Sequence, residues 1–357
     1  MDHQVRRRAL AARLGDLDVD ALLVTRLVNV RYLTGFTGSN AQVLVTTNDA
    51  EFMTDGRYGE QSRREVGDLE RHTYAQDYRD LLAGRVASAG FGRLGFESDD
   101  VTVATHGRLT AALPGVDLVP VTGAVEALRA VKDDEERELI RRAQAATDAA
   151  FEDVLDLLAV GISEEQVARH LERLLRDEGA DGVSFDSIVA FGENAAEPHH
   201  EPSHRQLEEG DIVKLDFGGL VEGYHADMTR TVAFGSLASE LRKMHDVIRE
   251  AQQCGIDAVR AGATGTQVDA AARQVIEGAG FGDRFVHGTG HGVGLEIHEA
   301  PWIGRSKDEP LPSGAVVTVE PGIYVAGLGG VRIEDMVEVT DDGGRVIGTS
   351  TRDLIEL

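Results

Sequence analysis

Four carboxylates and one imidazole in the C-terminal half of the chain have the side chains and surroundings expected of metal ligands. Each acid lies in a run of β-branched and apolar residues bounded by Gly or Pro, which predicts a strand. DIVKLDFGG surrounds Asp216, for example, and VRIEDMVEV surrounds Glu334. An unpaired carboxylate buried there would lose its hydration or take up a proton. Because four negative charges match two divalent cations, the sequence predicts a dinuclear metal site. The five candidate ligands are Asp216, Asp227, His291, Glu320 and Glu334.

The ligand types restrict the metal. Oxygen ligands with a single imidazole suit Mn, Co, Fe or Zn, whereas a thiolate-bound structural zinc needs several cysteines. The chain has one cysteine, Cys254, which also excludes an intramolecular disulfide. For any one acid taken alone, the alternative is a residue of an edge strand that faces water. The five residues together favour the metal site.

The second half of the chain repeats itself. GISEEQVARHLERLLRDEGA and GATGTQVDAAARQVIEGAG each predict an amphipathic helix that ends at a glycine. GDIVKLDFGG aligns without gaps on GAVVTVEPGI, which places Asp216 on Glu320, and the strands that follow place Asp227 on Glu334. PHHEP aligns likewise on IHEAP and pairs His199 with His298. The repeat therefore predicts two related half-domains with the site on the pseudo-twofold axis between them.

A glycine-rich segment, HGTGHGVGLEIHE, occupies residues 287–299. Alternating glycines allow the backbone to approach a ligand closely, and a strand period would put His287 and His291 on one face. A lone histidine in such a segment is usually a hydrogen-bonded structural residue. Three histidines downstream of paired acids favour a functional site instead. The GxGxxG spacing of a dinucleotide-binding loop is absent.

The composition limits the partners. The 357 residues include 62 Asp and Glu against 36 Lys and Arg, a net charge of −26. Nucleic acids and anionic membrane surfaces select basic faces, which argues against both as partners. No apolar run reaches the length of about 18 residues that a transmembrane helix needs, and MDHQVRRRALAARLG lacks an apolar signal-peptide core. We therefore expect a cytoplasmic protein.

The chain is long enough for two domains, and the pattern of elements changes near residue 125. Residues 1–125 alternate helices and strands, with strands predicted at 21–25, 41–46 and 50–54 and a helix after Asp55. From Lys132, DDEERELIRRAQAATDAAFEDVLDLL places acids in a first helical turn ahead of an apolar stripe, which predicts a long helix. We expect an N-terminal α/β domain at 1–125 and a catalytic domain at 126–357.

Five motifs in a fixed order carry a family resemblance: KLDFGG, GYHADMTRT, HGTGHGVGLEIHE, VEPGIY and VRIED. The region from about residue 125 to 350 resembles the pita-bread metallopeptidases, a family that includes methionine aminopeptidase, aminopeptidase P and prolidase. Residues 1–125 resemble the extra domain of the proline-specific branch, which creatinase also has. The resemblance implies an α+β fold: a C-terminal pita-bread domain with a pseudo-twofold repeat after a smaller creatinase-like α/β domain. Creatinase uses the fold without metals, and the full ligand set argues against its activity here.

The resemblance also implies roles for the ligands. Asp216 would chelate one metal, His291 and Glu320 would hold the other, and Asp227 with Glu334 would bridge them. A water or hydroxide between two divalent ions would then be the nucleophile. Manganese is the first choice of metal, with cobalt, zinc or iron as alternatives, because these ions share such ligands.

Further residues have roles by the same resemblance. Glu320 would accept the proton of the nucleophile and pass it towards the leaving amine. His199 and His298 would flank the scissile carbonyl and stabilise its developing negative charge. His287 would contact the substrate, and Arg332 would hydrogen-bond ligand carboxylates, as could Thr229. We expect His200 to lie exposed beside His199.

The predicted reaction is hydrolysis of the bond between an N-terminal residue and a following proline, whose ring and missing N–H exclude it from ordinary peptidase clefts. Prolidase-like relatives often have an arginine soon after the second catalytic histidine, whereas here the first arginine after His298 is Arg305. That difference favours aminopeptidase P over a dipeptidase. Two alternatives stay open: a methionine aminopeptidase-like enzyme, which the large N-terminal domain argues against, and a non-catalytic peptide-binding relative, which would be expected to have lost ligands. The resemblance also implies a homodimer.

Overall fold

The computed structural model describes all residues from 1 to 357. The chain forms two compact units, Met1–Arg129 and Ala130–Leu357. None of the helices combines the length and the apolar composition needed to cross a membrane.

The first unit is built on a six-stranded sheet with helices. The strands lie in the order β4-β3-β2-β1-β5-β6, in which β1, β2 and β3 pair antiparallel and the remaining pairs are parallel. The strands are β1 Ala21–Val24, β2 Ala41–Thr46, β3 Ala50–Asp55, β4 Glu70–Tyr74, β5 Arg93–Glu97 and β6 Asp117–Val121. The helices are α1 His3–Ala11, α2 Leu27–Thr34, α3 Gly59–Glu65, α4 Tyr78–Ala89, α5 Val103–Ala112 and α6 Glu126–Arg129.

The three strands predicted for this unit are confirmed, because β-branched and apolar runs form β1, β2 and β3. Their inward side chains, such as Leu23, Leu44 and Met53, pack with Leu82 of α4 in one buried cluster. The helix predicted after Asp55 begins as a 3₁₀ turn at Gly56–Tyr58, and the Asp55 side chain caps it by accepting from the backbone N–H of Arg57.

The second unit contains four helices and thirteen strands. The helices are α7 Asp134–Leu155, α8 Glu164–Asp177, α9 Ser239–Ala258 and α10 Gly265–Gly278. The strands of its first half are β7 Gly182–Val183, β8 Ile188–Phe191, β9 Ile212–Phe217, β10 Gly219–Val221, β11 Tyr224–His225 and β12 Met228–Ala233. The strands of its second half are β13 Gly290–Gly292, β14 Glu299–Ile303, β15 Val316–Val319, β16 Gly322–Val325, β17 Gly329–Arg332, β18 Asp335–Val339 and β19 Gly344–Val346.

The two halves of this unit share one antiparallel plan. β9 pairs with β8 on one side and with β12 on the other, and β15 pairs in the same way with β13 and β18. The helices that precede these sheets begin alike. Ser163 and Gln166 form a capping box at the start of α8, and Thr264 and Gln267 form one at the start of α10.

Two pairs of glycines show how closely the halves correspond. Gly161 and Gly262 have φ of 90° and 81°, and Gly210 and Gly314 have φ of 91° and 87°. This left-handed conformation strains residues with a Cβ, so each turn requires glycine in both copies. The predicted fold class, a pita-bread domain with an internal repeat after a smaller α/β domain, is confirmed.

Candidate metal centre and active site

The five predicted ligands converge on one cavity of about 470 Å³ in the second unit. All of the side chains predicted for the site line it: His199, Asp216, Asp227, His287, His291, His298, Glu320, Arg332 and Glu334. Ligand atoms of Asp227, His291 and Glu334 lie within 4.8 Å of one another. The four acids and His291 are buried or nearly so, whereas His199 and His298 are exposed to the cavity.

The prediction that all four acids lie inside strands is wrong in detail. Asp216 lies within β9, but the other three acids lie directly before or after a strand. Asp227 precedes β12, Glu320 follows β15, and Glu334 lies between β17 and β18. Side chains at the ends of strands need not alternate between the two faces of the sheet. The side chains of Asp227, Glu320 and Glu334 can therefore point towards one site. Pro321, which has no N–H for a ladder, directly follows Glu320.

His291 is oriented for metal binding by its own backbone. Its Nδ1 lies 3.1 Å from the carbonyl oxygen of Gly292, which can only accept a hydrogen bond. In the neutral ring the proton is then on Nδ1, and Nε2 keeps its lone pair, as a metal ligand requires. Nε2 lies 3.3 Å from Glu320 and 3.6 Å from Asp227.

The other ligands are held by buried polar groups. Thr229 donates from Oγ1 to Glu334 over 2.7 Å. The hydroxyl of Thr318 donates to Glu320 over 3.2 Å and accepts from the backbone N–H of His291 over 3.1 Å. These donors fix the carboxylates of Glu334 and Glu320 without a metal ion.

Arg332 joins the centre to its surroundings. Its guanidinium forms a short ion pair with Asp216 and donates to Thr229 over 3.0 Å, to the carbonyl oxygen of Pro198 over 3.2 Å and to the hydroxyl of Tyr324 over 2.8 Å. The predicted placement of Arg332 beside a ligand carboxylate therefore corresponds to Asp216 in the structure.

The buried carboxylates of the centre repel one another, and bound metal ions would relieve this repulsion. Burial, with repulsion from Glu334, Asp216 and Glu320, raises the pKa of Asp227. Burial, with repulsion from Glu320 and Asp216, likewise raises the pKa of Glu334. Burial has the largest effect on Glu320 and opposes its ionisation, but contacts with His291, His287 and Arg332 together lower its pKa to about 2. Since Arg332 does not balance all four carboxylates, bound divalent cations would relieve this repulsion.

His287 and His298 differ in their environments. His287 contacts the Gly288 carbonyl oxygen at 2.7 Å and the hydroxyl of Tyr324 at 2.9 Å. The ring of His298 packs edge-on against that of His291, with 4.4 Å between centroids. Burial lowers the pKa of His287 and of His298, so both are neutral near pH 7.

The prediction that His200 is exposed is wrong. Its side chain is only 10% exposed, because its Nε2 lies 2.9 Å from the buried carboxylate of Glu164 at the start of α8. An acid in the first turn of a helix usually faces solvent, and the sequence carries no signal that this one accepts a distant side chain.

Three further residues of the site were not found from the sequence. Tyr324 bonds both His287 and Arg332. Lys214 is fully buried, and its amine donates to the carbonyl oxygen of Pro198, which lines the cavity. The ring of Trp302 lies 6.4 Å from that of His291 and is 46% exposed at the cavity wall. The signal for Lys214 was present, because a lysine inside the apolar strand run IVKLDF is costly unless partnered.

The chain matches two family models, one for each unit. The model of metallopeptidase family M24 matches residues 138–341, and that of the creatinase/prolidase N-terminal domain matches residues 6–131. The uncharacterized peptidase YqhT of Bacillus subtilis (strain 168) is 42% identical over 343 residues, which cover 96% of this chain and 97% of that protein.

Solved structures agree with these matches. An Xaa-Pro dipeptidase from Bacillus anthracis is similar with a TM-score of 0.97 and 40% identity over 100% of both chains. An X-Pro aminopeptidase from Thermotoga maritima MSB8 is similar with a TM-score of 0.91 and 35% identity, covering 97% of this chain and 99% of that chain. The family resemblance carried by the sequence motifs is confirmed. The chain is a peptidase that belongs to metallopeptidase family M24, in the pita-bread branch that carries a creatinase/prolidase N-terminal domain.

Proposed function

We propose that this chain is a dinuclear-metal peptidase that hydrolyses the bond between an N-terminal residue and a following proline. The observation that carries the proposal is the convergence of four carboxylates and His291 with three further histidines in one cavity. The two solved relatives, named as an Xaa-Pro dipeptidase and an X-Pro aminopeptidase, support the choice of proline.

The ligand set fits two divalent cations. Asp227, Glu334 and His291 offer converging ligand atoms, and Asp216 and Glu320 line the same cavity. When bound, the cations would lower the pKa of a water and polarise the scissile carbonyl. Manganese is our first choice, with cobalt, zinc and iron as alternatives, because these ions share such ligands.

The side chains around the ligands would perform the remaining steps. Glu320 is ionised at neutral pH, because contacts with His291, His287 and Arg332 together outweigh the effect of burial on its pKa. It would accept the proton of the attacking water and deliver it to the proline nitrogen as the peptide bond breaks. His199 and His298, both exposed to the cavity, would donate hydrogen bonds to the carbonyl oxygen as it gains negative charge. His287, held by Tyr324, would orient the substrate.

A specific observation favours short substrates with a free carboxylate. Arg305 and Lys307 line the cavity together with Trp302, whereas the other cavity cation, Arg332, is paired with Asp216. Cations at the wall of an otherwise acidic cavity are suited to a substrate carboxylate. We therefore favour an Xaa-Pro dipeptide as the preferred substrate, in place of the aminopeptidase P specificity expected from the position of Arg305 in the sequence.

The test compares an Xaa-Pro dipeptide, an Xaa-Pro-Yaa tripeptide and a Met-Ala peptide, each with the full chain reconstituted with Mn, Co, Zn or Fe. We expect hydrolysis of the dipeptide above that of the tripeptide and no preference for Met-Ala. Faster cleavage of Met-Ala would support a methionine aminopeptidase-like enzyme. If none of the three peptides is hydrolysed and the chain binds less than one equivalent of metal, the result would support the non-catalytic alternative. A homodimer is part of the proposal, and sedimentation of the reconstituted protein checks it.

A further inference from the structure

The loop that carries His199 has little regular structure of its own. Residues 197–203, EPHHEPS, form neither a helix nor a strand, and here they are called the His199 loop. A catalytic side chain on such a loop needs other contacts to fix it, because misplacement by about 1 Å can cost about 100-fold in rate. Those contacts come from two buried polar side chains that lie outside the loop.

The first is Glu164, the first residue of α8, whose side chain is fully buried. One of its oxygens accepts from the Phe191 backbone N–H over 2.8 Å and from the Asn194 amide over 3.0 Å. The other contacts the His200 ring at 2.9 Å and accepts from the Ser203 backbone N–H over 3.0 Å and hydroxyl over 2.6 Å. Burial raises the pKa of this carboxyl, but these hydrogen bonds together hold it below its usual value.

The second is Lys214 of β9, which is 0% exposed. Its amine donates to the backbone carbonyl oxygens of Ala195, Glu197 and Pro198. The loop is therefore held by an acceptor on one side and by donors on the other. Arg332 adds a donor to the Pro198 carbonyl oxygen, so the residue before His199 is bonded twice.

The two histidines of the loop face different surroundings. His200 turns to Glu164, whereas His199 lines the metal cavity. Neighbouring side chains on an extended or turning backbone point in different directions, so fixing His200 on the far side fixes the direction of His199. The five contacts of Glu164 exceed what a helix start requires, since Ser163 and Gln166 already cap α8.

We infer that Glu164 and Lys214 are positioning residues that hold His199 against the scissile carbonyl. The inference rests on the proposed function, because it assigns His199 to the reaction. It adds that the catalytic placement of His199 depends on α8 and β9 rather than on the loop itself.

A double-mutant cycle tests the inference. Glu164→Gln keeps the shape of the side chain, but it removes the charge and replaces one acceptor oxygen by an NH₂ group, which would face other donors. We expect it to lower kcat about 10- to 100-fold while the bound metal and KM change little. In a His199→Ala background the same change should lower kcat by less than about twofold, because the residue it positions is gone. Equal losses in both backgrounds, or loss of bound metal, would overturn the inference.

The matched control is Glu165→Gln. Glu165 is the next residue of α8, its side chain is 34% exposed, and it contacts Arg169 and His204 at 3.4 and 3.3 Å. This variant should keep the wild-type kcat in both backgrounds. If Glu164→Gln does not fold, Ser203→Ala removes one donor from the same carboxylate and is expected to give a smaller loss of kcat with the same dependence on His199.

A second readout does not depend on catalysis. Hydrogen exchange of the backbone amides of residues 197–203 should accelerate in Glu164→Gln and stay at the wild-type rate in Glu165→Gln. Unchanged exchange in both would contradict the anchoring. If wild-type protein hydrolyses no Xaa-Pro peptide, the proposed function fails, and the exchange experiment still decides whether Glu164 anchors the loop. If wild-type protein is active and the cycle is additive, only the positioning inference fails.

Discussion

At the scale of single residues, Arg332 contacts several groups of the proposed metal centre. Its guanidinium contacts Asp216, Thr229 and Tyr324 from one buried position. Of these, Asp216 is a proposed ligand, Thr229 donates to the ligand Glu334, and Tyr324 holds His287. Arg332 therefore connects two of the proposed ligands to His287, the histidine that we propose orients the substrate.

Replacing Arg332 by Lys should lower metal affinity about 10- to 100-fold, as is typical when a partner of a ligand is lost. Lysine keeps the charge but cannot reproduce a planar group with donors in several directions. Competition with a chelator of known affinity measures the change. Arg345→Lys is the control, because Arg345 is 69% exposed and pairs with Glu338. Wild-type metal affinity in Arg332→Lys would contradict the role assigned to the guanidinium.

Arg305 gives a prediction about specificity. Its side chain is 71% exposed, and exposed ion pairs contribute about 1 kcal/mol or less. Arg305→Gln should therefore raise KM for an Xaa-Pro dipeptide by about twofold to fivefold and leave KM for the corresponding dipeptide amide unchanged. Arg284→Gln, at an exposed position that does not line the cavity, serves as the control. If KM increased equally for the dipeptide and for the dipeptide amide, Arg305 would not bind the substrate carboxylate.

At the scale of elements, the residues that follow the site histidines are held from distant parts of the chain. Glu299, directly after His298, begins β14 and bonds the amine of Lys132 over 2.7 Å. Both side chains are almost fully buried, at 5% and 1% exposure. The Glu299 carboxylate lies against Gly294, where a Cβ would come within 2.4 Å of it. The ion pair therefore fixes the start of the strand that follows His298.

Lys132→Met should destabilise the second unit by about 3–5 kcal/mol, because the change leaves a buried carboxylate without its amine. Adding Glu299→Gln should restore part of that loss, since the second change removes the charge. Urea unfolding measures both variants, and Arg284→Met provides an exposed comparison. If Lys132→Met were as stable as the Arg284 variant, the pair would have no structural role.

Much at this scale could be predicted from the sequence, because the signals are local. The helix from Asp134, the capping residues of α8 and α10, and the repeated glycine turns depend on neighbours within a few positions. The acids and histidines of the site were also singled out from local motifs. The partners Lys132 and Glu299 are 167 positions apart, and Glu164 meets His200 across 36. No local sequence pattern predicts such contacts between distant residues. For this reason His200 was expected to be exposed.

At the scale of the whole molecule, a buried titratable group makes the free energy of unfolding depend on pH. His245 on α9 is 2% exposed, and its Nδ1 has no hydrogen-bond partner. Burial lowers its pKa from 6.5 to about 4. Between those values the unfolded chain binds a proton that the folded chain does not, so stability falls as the pH falls from 6.5 towards 4.

His245→Leu should reduce the change in the free energy of unfolding between pH 6.5 and pH 4. The lowered pKa corresponds to roughly 3 kcal/mol of stability that is present above pH 6.5 and lost below pH 4. Urea unfolding of the second unit, followed at several pH values in that range, measures the difference between variant and wild type. His204→Leu is the control, because that side chain is 90% exposed. Parallel profiles for His245→Leu and wild type would contradict the prediction.

We propose that the acids and His291 bind two metal ions and that these ions make the cavity a proline-specific peptidase. The most direct test is a metal titration of the chelator-treated full chain, followed by release of proline from an Xaa-Pro dipeptide. We expect release of proline to begin with added Mn²⁺ and to saturate near two ions per chain, and we expect the Asp227→Asn variant to release almost none at any Mn²⁺ concentration. Full release by the Asp227→Asn variant, or no release from the wild-type chain with any of the four metals, would contradict this proposal.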